Sequence, residues 1–175
     1  MTRERIVEIQ EKMKAGLISL PKTLENEKLS MLDSGSAPNV ADHEKHFPGA
    51  ELKESTKNGK DACTTATGDP FGAKGELTVR FKTEEGHRRQ ATFQNAPVMC
   101  PILSTGKMTD EDNHVNYRKW GGYIYDTITK EKSAFVRAHG VYWIKMIMAD
   151  GVLKPKPVNS ILKTEPQDFH GRVRP

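Results

Sequence analysis

The chain is short of the features that mark several large protein classes. It has only two cysteines, Cys63 and Cys100, and they form no Cys-x-x-Cys pair. Two reduced thiols are therefore expected in preference to a disulfide, although a single bridge is left open. No apolar run approaches the length of a membrane span, and the N-terminal segment mixes acidic and basic residues, unlike a secretory signal. These absences predict an intracellular setting, cytoplasmic or nuclear, without membrane association.

By composition, the chain is polar and weakly basic. Only 35% of the 175 residues are hydrophobic, mean hydropathy is −0.67, and the net charge is +4. A modest core with polar ends is expected. The basic residues are scattered and no aromatic-interleaved basic stripe occurs, so nucleic-acid binding would depend on charge alone and is not favoured. No metal site or cofactor is predicted, and the histidines of the His43-x-x-His46 pair are expected to be solvated loop residues.

The chain divides into four predicted parts. Residues 1–20 form an amphipathic helix and lead-in, with apolar positions at helical spacing. Residues 21–108 form a core of short strands with frequent turn signals, typical of a small closed or partly open β-barrel. Residues 109–148 add further β-hairpins as an extension, and residues 149–175, rich in proline and charge, form a disordered tail. The fold class is mainly β.

One stretch carries a candidate chemistry. A hairpin of residues 17–20 and 29–32 would deliver the chain to Asp33-Ser34-Gly35-Ser36, where a carboxylate ends a strand and a glycine permits a tight turn between two hydroxyl side chains. Asp, Ser and Gly are also ordinary turn formers, so an isolated match would indicate only a surface turn. Segments of the form Asp-Ser-Gly-x-x-Ser can be phosphorylated recognition sites. Here Pro38 occupies the position of the second serine, so a phosphorylated recognition site is disfavoured.

The order of the surrounding pieces resembles the retropepsin-like aspartic protease of copia-type retrotransposon polyproteins. The Asp-Ser-Gly-Ser loop is followed by Thr67-Gly68-Asp69, by two glycines at Gly72 and Gly75, by an alternating strand pair, and by the apolar run of residues 97–106. The resemblance covers roughly residues 22–148. It departs from the pattern at Ser104, where many retropepsins have glycine. It also departs in the hairpin that would close over a substrate as a flap, which is unusually polar here.

The resemblance implies a residue-by-residue assignment. Asp33 would be the catalytic carboxylate, Ser34 would hydrogen-bond across a dimer, Gly35 would let two loops approach, and Ser36 would hold the outer carboxylate oxygen. The flap over a peptide substrate would contain Thr67, Gly68, Asp69, Phe71 and Gly72, and the apolar support below the loop would be Ile102 and Leu103.

A single chain supplies only one half of such a site. The other candidate loop, Ser104-Thr105-Gly106, has serine in place of aspartate, so the second carboxylate must come from a second copy. The expected function is a homodimeric aspartic endopeptidase that cuts the polyprotein from which it derives. The alternative is a catalytically silent module of the same fold, used for binding or dimerisation.

Overall fold

The computed structural model describes residues 20–55, 74–149 and 151–154. Nearly half of the described residues lie in strands and only about a tenth in helices, which confirms the predicted mainly β class. The strands are β1 (Glu27–Asp33), β2 (Val40–Ala41), β3 (Leu52–Lys53), β4 (Glu76–Lys82), β5 (Arg88–Asn95), β6 (Ile102–Ser104), β7 (Asn113–Arg118), β8 (Gly121–Asp126), β9 (Lys132–Ala138) and β10 (Val141–Met148). Two short helices are α1 (His43–His46) and α2 (Thr105–Asp110).

All ten described strands belong to one sheet, in the order β3-β4-β5-β2-β6-β1-β10-β9-β8-β7. Strand β10 also pairs with β4, through Ile147 opposite Lys82 and Met148 opposite Phe81. The sheet therefore curls back on itself across a seam of two residue pairs. This arrangement is one large curved sheet with a short closing contact, and it is not a clean form of the small closed or partly open barrel that the sequence predicts.

Alternation of apolar and polar residues explains how β4 forms and which way it faces. Leu77, Val79 and Phe81 are at most 8% exposed, while the residues between them face solvent. Strand β4 pairs with β5 along its whole length, and the connecting turn ends at Gly86, whose φ of 86° suits glycine. The sequence prediction for this hairpin is confirmed, and β5 ends at Asn95, before Pro97.

Strand β10 lies in the middle of the sheet. It pairs antiparallel with β1 on one side and with β9 on the other. Its side chains Ile144, Met146 and Met148 are buried in the main core. The last strand of the predicted extension, residues 109–148, is thus an integral neighbour of β1, whereas β7, β8 and β9 form the outer end of the sheet.

Several predicted elements lie wholly or partly beyond the described residues. The N-terminal helix and residues 17–19 of the predicted hairpin belong to residues 1–19, and Leu20 is exposed in a bend. The described partners of β1 are instead β6 and β10. From the predicted tail, residues 151–154 form turns, and Val152 accepts a hydrogen bond from the Gly49 amide at 2.9 Å. Residues 155–175 lie outside the described part.

Candidate functional site

The candidate site begins at the end of a strand that is anchored on both sides. Along β1, Ser30 and Leu32 are buried, and the Ser30 hydroxyl donates to the Pro101 carbonyl at 3.0 Å. Strand β6 runs parallel to β1, which places Leu32 beside Leu103 and Asp33 beside Ser104. Asp33 therefore leaves the sheet at a fixed point, and its side chain is half-buried.

The Asp33 side chain shapes its own turn. Its Oδ1 atom accepts a hydrogen bond from the Gly35 amide at 2.8 Å, the geometry of an Asx turn. A Cβ atom at Gly35 would lie 3.3 Å from that Oδ1, so a larger residue would press on the carboxylate. Among the described residues no cation forms an ion pair with Asp33. One carboxylate oxygen is thus held by the turn, and no cation of residues 20–55, 74–149 and 151–154 forms an ion pair that neutralises the group.

The other residues of the loop differ in their exposure and in the contacts that they make. Ser34 and Gly35 are exposed. The Ser36 hydroxyl donates to the Pro38 carbonyl at 2.6 Å, so in this chain it supports the following turn. The resemblance implies that Ser36 holds the outer carboxylate oxygen of Asp33, but the Ser36 hydroxyl contacts the Pro38 carbonyl instead.

Ser104 is the residue that ties this loop to the rest of the sheet. It is 0% exposed, and its hydroxyl donates to the Ser36 carbonyl at 2.5 Å. The same oxygen accepts the Lys107 amide at 3.2 Å, which makes Ser104 the N-cap of α2. Its own amide donates to the Asn39 Oδ1 at 2.8 Å. One buried serine therefore joins β6, α2 and both ends of the Asp33 loop.

Asn39 completes this bracing from the other side. It is 8% exposed, and its Nδ2 atom donates to the Thr92 carbonyl on β5 at 3.0 Å. Sequence reasoning missed both Asn39 and the full role of Ser104. A serine before a helix is an N-cap signal, so that part could have been found. The contacts with Ser36 and Thr92 join segments far apart in the chain and have no local signature.

An aromatic cluster lies beside the loop and was also missed. Tyr117, Phe135 and Tyr142 have ring centroids 4.7 to 5.7 Å apart in edge-to-face arrangements. Burial raises the pKa of the Tyr117 phenol, a hydrogen bond with Thr105 opposes this, and the Asp33 carboxylate raises the pKa further. Tyr117 is nevertheless 38% exposed. Tyr117, on the outer strand β7, therefore places a partly exposed aromatic ring near Asp33.

The structure describes the residues predicted to support the loop from below, but not those of the predicted flap. Ile102 and Leu103 lie on β6 directly beside Met31 and Leu32, with Leu103 buried and Ile102 half-buried. The structure thus brings these two residues together with the Asp33 loop. The predicted flap residues lie in the segment 56–73, outside the described residues: Thr67, Gly68, Asp69, Phe71 and Gly72.

The prediction that His43 and His46 are solvated loop histidines is wrong. Both lie on α1, and His46 is 2% exposed. The His46 Nδ1 atom accepts the Asp42 amide at 3.0 Å, so its Nε2 atom donates to the Met99 carbonyl at 3.2 Å. Burial lowers the pKa of His46, which favours this neutral form. His46 is therefore a satisfied core histidine that fastens α1 to the segment before β6.

Other chemistries find little support in the described part of the chain. Within residues 20–55, 74–149 and 151–154, no group of three or more histidine, cysteine and acidic side chains could hold a metal ion. Cys100 is a half-exposed free thiol, and burial raises its pKa, which disfavours the nucleophilic thiolate. Cys63 lies outside the described residues. None of the described helices is long and apolar enough to cross a bilayer.

Comparison with known proteins adds no assignment. No protein-family model matches the chain, and no curated protein or solved structure is significantly similar to it.

Proposed function

We propose that this chain is a retropepsin-like aspartic endopeptidase that acts as a homodimer. The observation that carries the proposal is the Asp33 loop: a half-buried carboxylate at the end of a central strand, without an ion pair among the described residues. The loop is held by a buried serine from the parallel strand β6. Such a loop keeps a carboxylate in a defined position while its outer side remains open to a partner.

A second observation, the pairing of the strands, supports the proposed fold. The strand run β4-β5-β2-β6-β1-β10, together with the seam between β10 and β4, gives a ring of six paired strands around the buried apolar residues. A ring of this kind, with the Asp33 loop at its edge, is compatible with a retropepsin-like barrel distorted at one seam.

The chemistry requires two Asp33 side chains that face one water molecule. Two carboxylates in such proximity share one proton, because like charges that close cannot both ionise. The ionised member accepts a proton from water as the water attacks the peptide carbonyl, and the protonated member donates to the carbonyl oxygen. Each chain contributes one Asp33, so activity requires the dimer. The substrate that the resemblance implies is the chain's own polyprotein.

The decisive experiment follows cleavage of a precursor in which this chain is flanked by its neighbouring segments. Asp33→Asn should abolish cleavage while leaving the fold and the dimer intact. Asp110→Asn is the matched control, because Asp110 is exposed at the end of α2 and its loss should leave activity unchanged. Full cleavage by the Asp33→Asn protein would refute the proposal.

Subunit mixing tests the shared site directly. Excess Asp33→Asn protein should titrate away wild-type activity, because each mixed dimer has only one carboxylate. Specific activity should also rise with protein concentration and fall in the presence of pepstatin. Turnover undiminished well above neutral pH would contradict the need for one protonated carboxyl group.

The alternative, a silent binding or dimerisation module, is favoured by one contact. Asp33 Oδ1 accepts the Gly35 amide, and this turn-forming role requires no catalysis. Under this alternative Asp33→Asn would change only stability, and no cleavage would be found at any concentration. Sedimentation of the purified chain, combined with the precursor assay, separates the two functions.

A further inference from the structure

The outer end of the sheet, strands β7, β8 and β9, carries aromatic rings and cations on one face. Residues paired across neighbouring antiparallel strands share a face, so the pairs Asn116–Tyr123 and His114–Tyr125 place two tyrosines of β8 beside polar residues of β7. Tyr125 is paired in turn with Lys132 on β9. These side chains therefore form one continuous surface across three strands, here called the outer face.

The outer face points away from the core. The alternate residues of the same strands, among them Ile124 and Phe135, are buried in the core. On the outer face His114, Asn116 and Lys132 are exposed, and the two tyrosines are partly exposed. None of the side chains that β7, β8 and β9 place on this face is acidic. The face thus combines positive charge with aromatic surface.

The two cations of the outer face lie over its rings. The Arg118 Cζ atom is 5.4 Å from the centroid of the Tyr123 ring, and the Lys132 Nζ atom is 5.1 Å from the same centroid and 5.8 Å from that of Tyr125. Neither cation forms an ion pair within the described part of the chain. The sequence alone does not favour nucleic-acid binding, because its cations are scattered; the strand register places these two beside aromatic rings.

We propose that the outer face binds single-stranded RNA, with bases stacked on Tyr123 and Tyr125 and phosphates contacted by Arg118 and Lys132. Stacking of a base on a protein ring is stronger than an exposed cation–π contact, so bases can displace the cations toward the phosphates. The two tyrosines are two residues apart on β8, a separation of about 6.6 Å, which is roughly twice the spacing of nucleotides along one strand of a duplex. An extended single strand fits this separation.

Two polar side chains beside the rings favour RNA over DNA. His114 and Asn116 are exposed next to the tyrosines, and the ring centroids of His114 and Tyr125 are 6.3 Å apart. Both side chains offer hydrogen-bonding atoms for the ribose 2′-hydroxyl, which DNA lacks. The inference is independent of the proposed proteolysis, because Tyr117, the β7 residue near Asp33, projects from the opposite face of its strand.

Binding is tested with the full chain and a short fluorescein-labelled oligouridylate, followed by fluorescence anisotropy over a range of salt concentrations. Arg118→Gln combined with Lys132→Gln should weaken binding and make the fall of log affinity with log salt shallower by about 1.4, or about 0.7 for each phosphate contact. Lys45→Gln combined with Lys53→Gln is the matched control, because it removes two exposed cations on α1 and β3 and should leave the slope unchanged. An oligodeoxyuridylate of equal length should bind about fivefold more weakly, the loss of one hydrogen bond.

Stacking is tested with Tyr123→Leu combined with Tyr125→Leu, which should weaken binding at least about tenfold. In the unaltered chain, NMR should show the ring resonances of Tyr123 and Tyr125 shifting as RNA binds, while those of Tyr117 on the opposite face stay in place. Absence of binding, equal loss of affinity in the two charge variants, equal affinity for the deoxy strand, or unshifted tyrosine resonances would overturn the proposal. Displacement of the RNA by polyglutamate of equal charge would also overturn it, by identifying a general polyanion site.

Discussion

Replacement of Ser104 by alanine is the most direct test of how the Asp33 loop is held. The alanine methyl group fits the space of the serine, so the change removes hydrogen bonds without creating a large cavity. The N-cap contact with the Lys107 amide contributes about 1 kcal/mol in comparable helices. The buried bond to the Ser36 carbonyl contributes about 1 kcal/mol more. Ser104→Ala should therefore reduce the free energy of unfolding by about 2 kcal/mol.

Ser30→Ala is the matched control. Ser30 is also 0% exposed, but its hydroxyl makes one hydrogen bond, to the Pro101 carbonyl, and caps no helix. Ser30→Ala should therefore reduce the free energy of unfolding by about 1 kcal/mol. Urea unfolding of both variants at one protein concentration, so that any self-association contributes equally, should show a larger fall in the midpoint for Ser104→Ala by roughly 0.5 M. Equal midpoints, or a greater loss for Ser30→Ala, would refute the reasoning that Ser104 is the principal brace.

Two further predictions concern packing and pH. Gly122→Ala should destabilise the fold by about 2 kcal/mol, because its Cβ atom would lie 2.0 Å from the Asn116 carbonyl oxygen. At Gly106 on α2 a Cβ atom would lie 3.5 Å from the Ser104 hydroxyl, an ordinary van der Waals contact, so Gly106→Ala should be neutral or stabilising by thermal unfolding. The lowered pKa of His46 means that the unfolded chain binds the proton more tightly, so stability should fall as pH drops below about 6.5. His46→Gln should flatten this dependence in urea titrations between about pH 7.5 and 5.5, and an unchanged slope in this variant would contradict the assignment.

Local patterns made the strands predictable. The alternation around Leu77, Val79 and Phe81 specifies a half-buried strand, and the glycine at position 86 specifies the turn that follows. Likewise, the turn at His139 and Gly140 links β9 and β10 within residues 109–148, the stretch that the sequence predicts to form β-hairpins. In each case the information lies within a few neighbouring residues, which is the range over which a single sequence is informative.

Contacts between distant segments were not predictable. The bond between Ser104 and Ser36 spans 68 positions, and the burial of His46 depends on the Met99 carbonyl 53 positions away. The central place of β10 is decided by its pairing with β1, across more than a hundred residues. The Asp33 loop could therefore be located from sequence, but the groups that hold it required the fold.

The pH behaviour of the fold and of the proposed chemistry oppose one another. A pair of Asp33 carboxylates needs one shared proton, so the proposed activity should decline as pH rises. His46 must remain neutral to accept the Asp42 amide and donate to the Met99 carbonyl, so stability should decline as pH falls. His46 links α1 to the segment that leads into β6, and β6 carries Ser104 beside Asp33. An acid limb in a pH–activity profile would consequently report loss of this support, in addition to any titration of the carboxylates themselves.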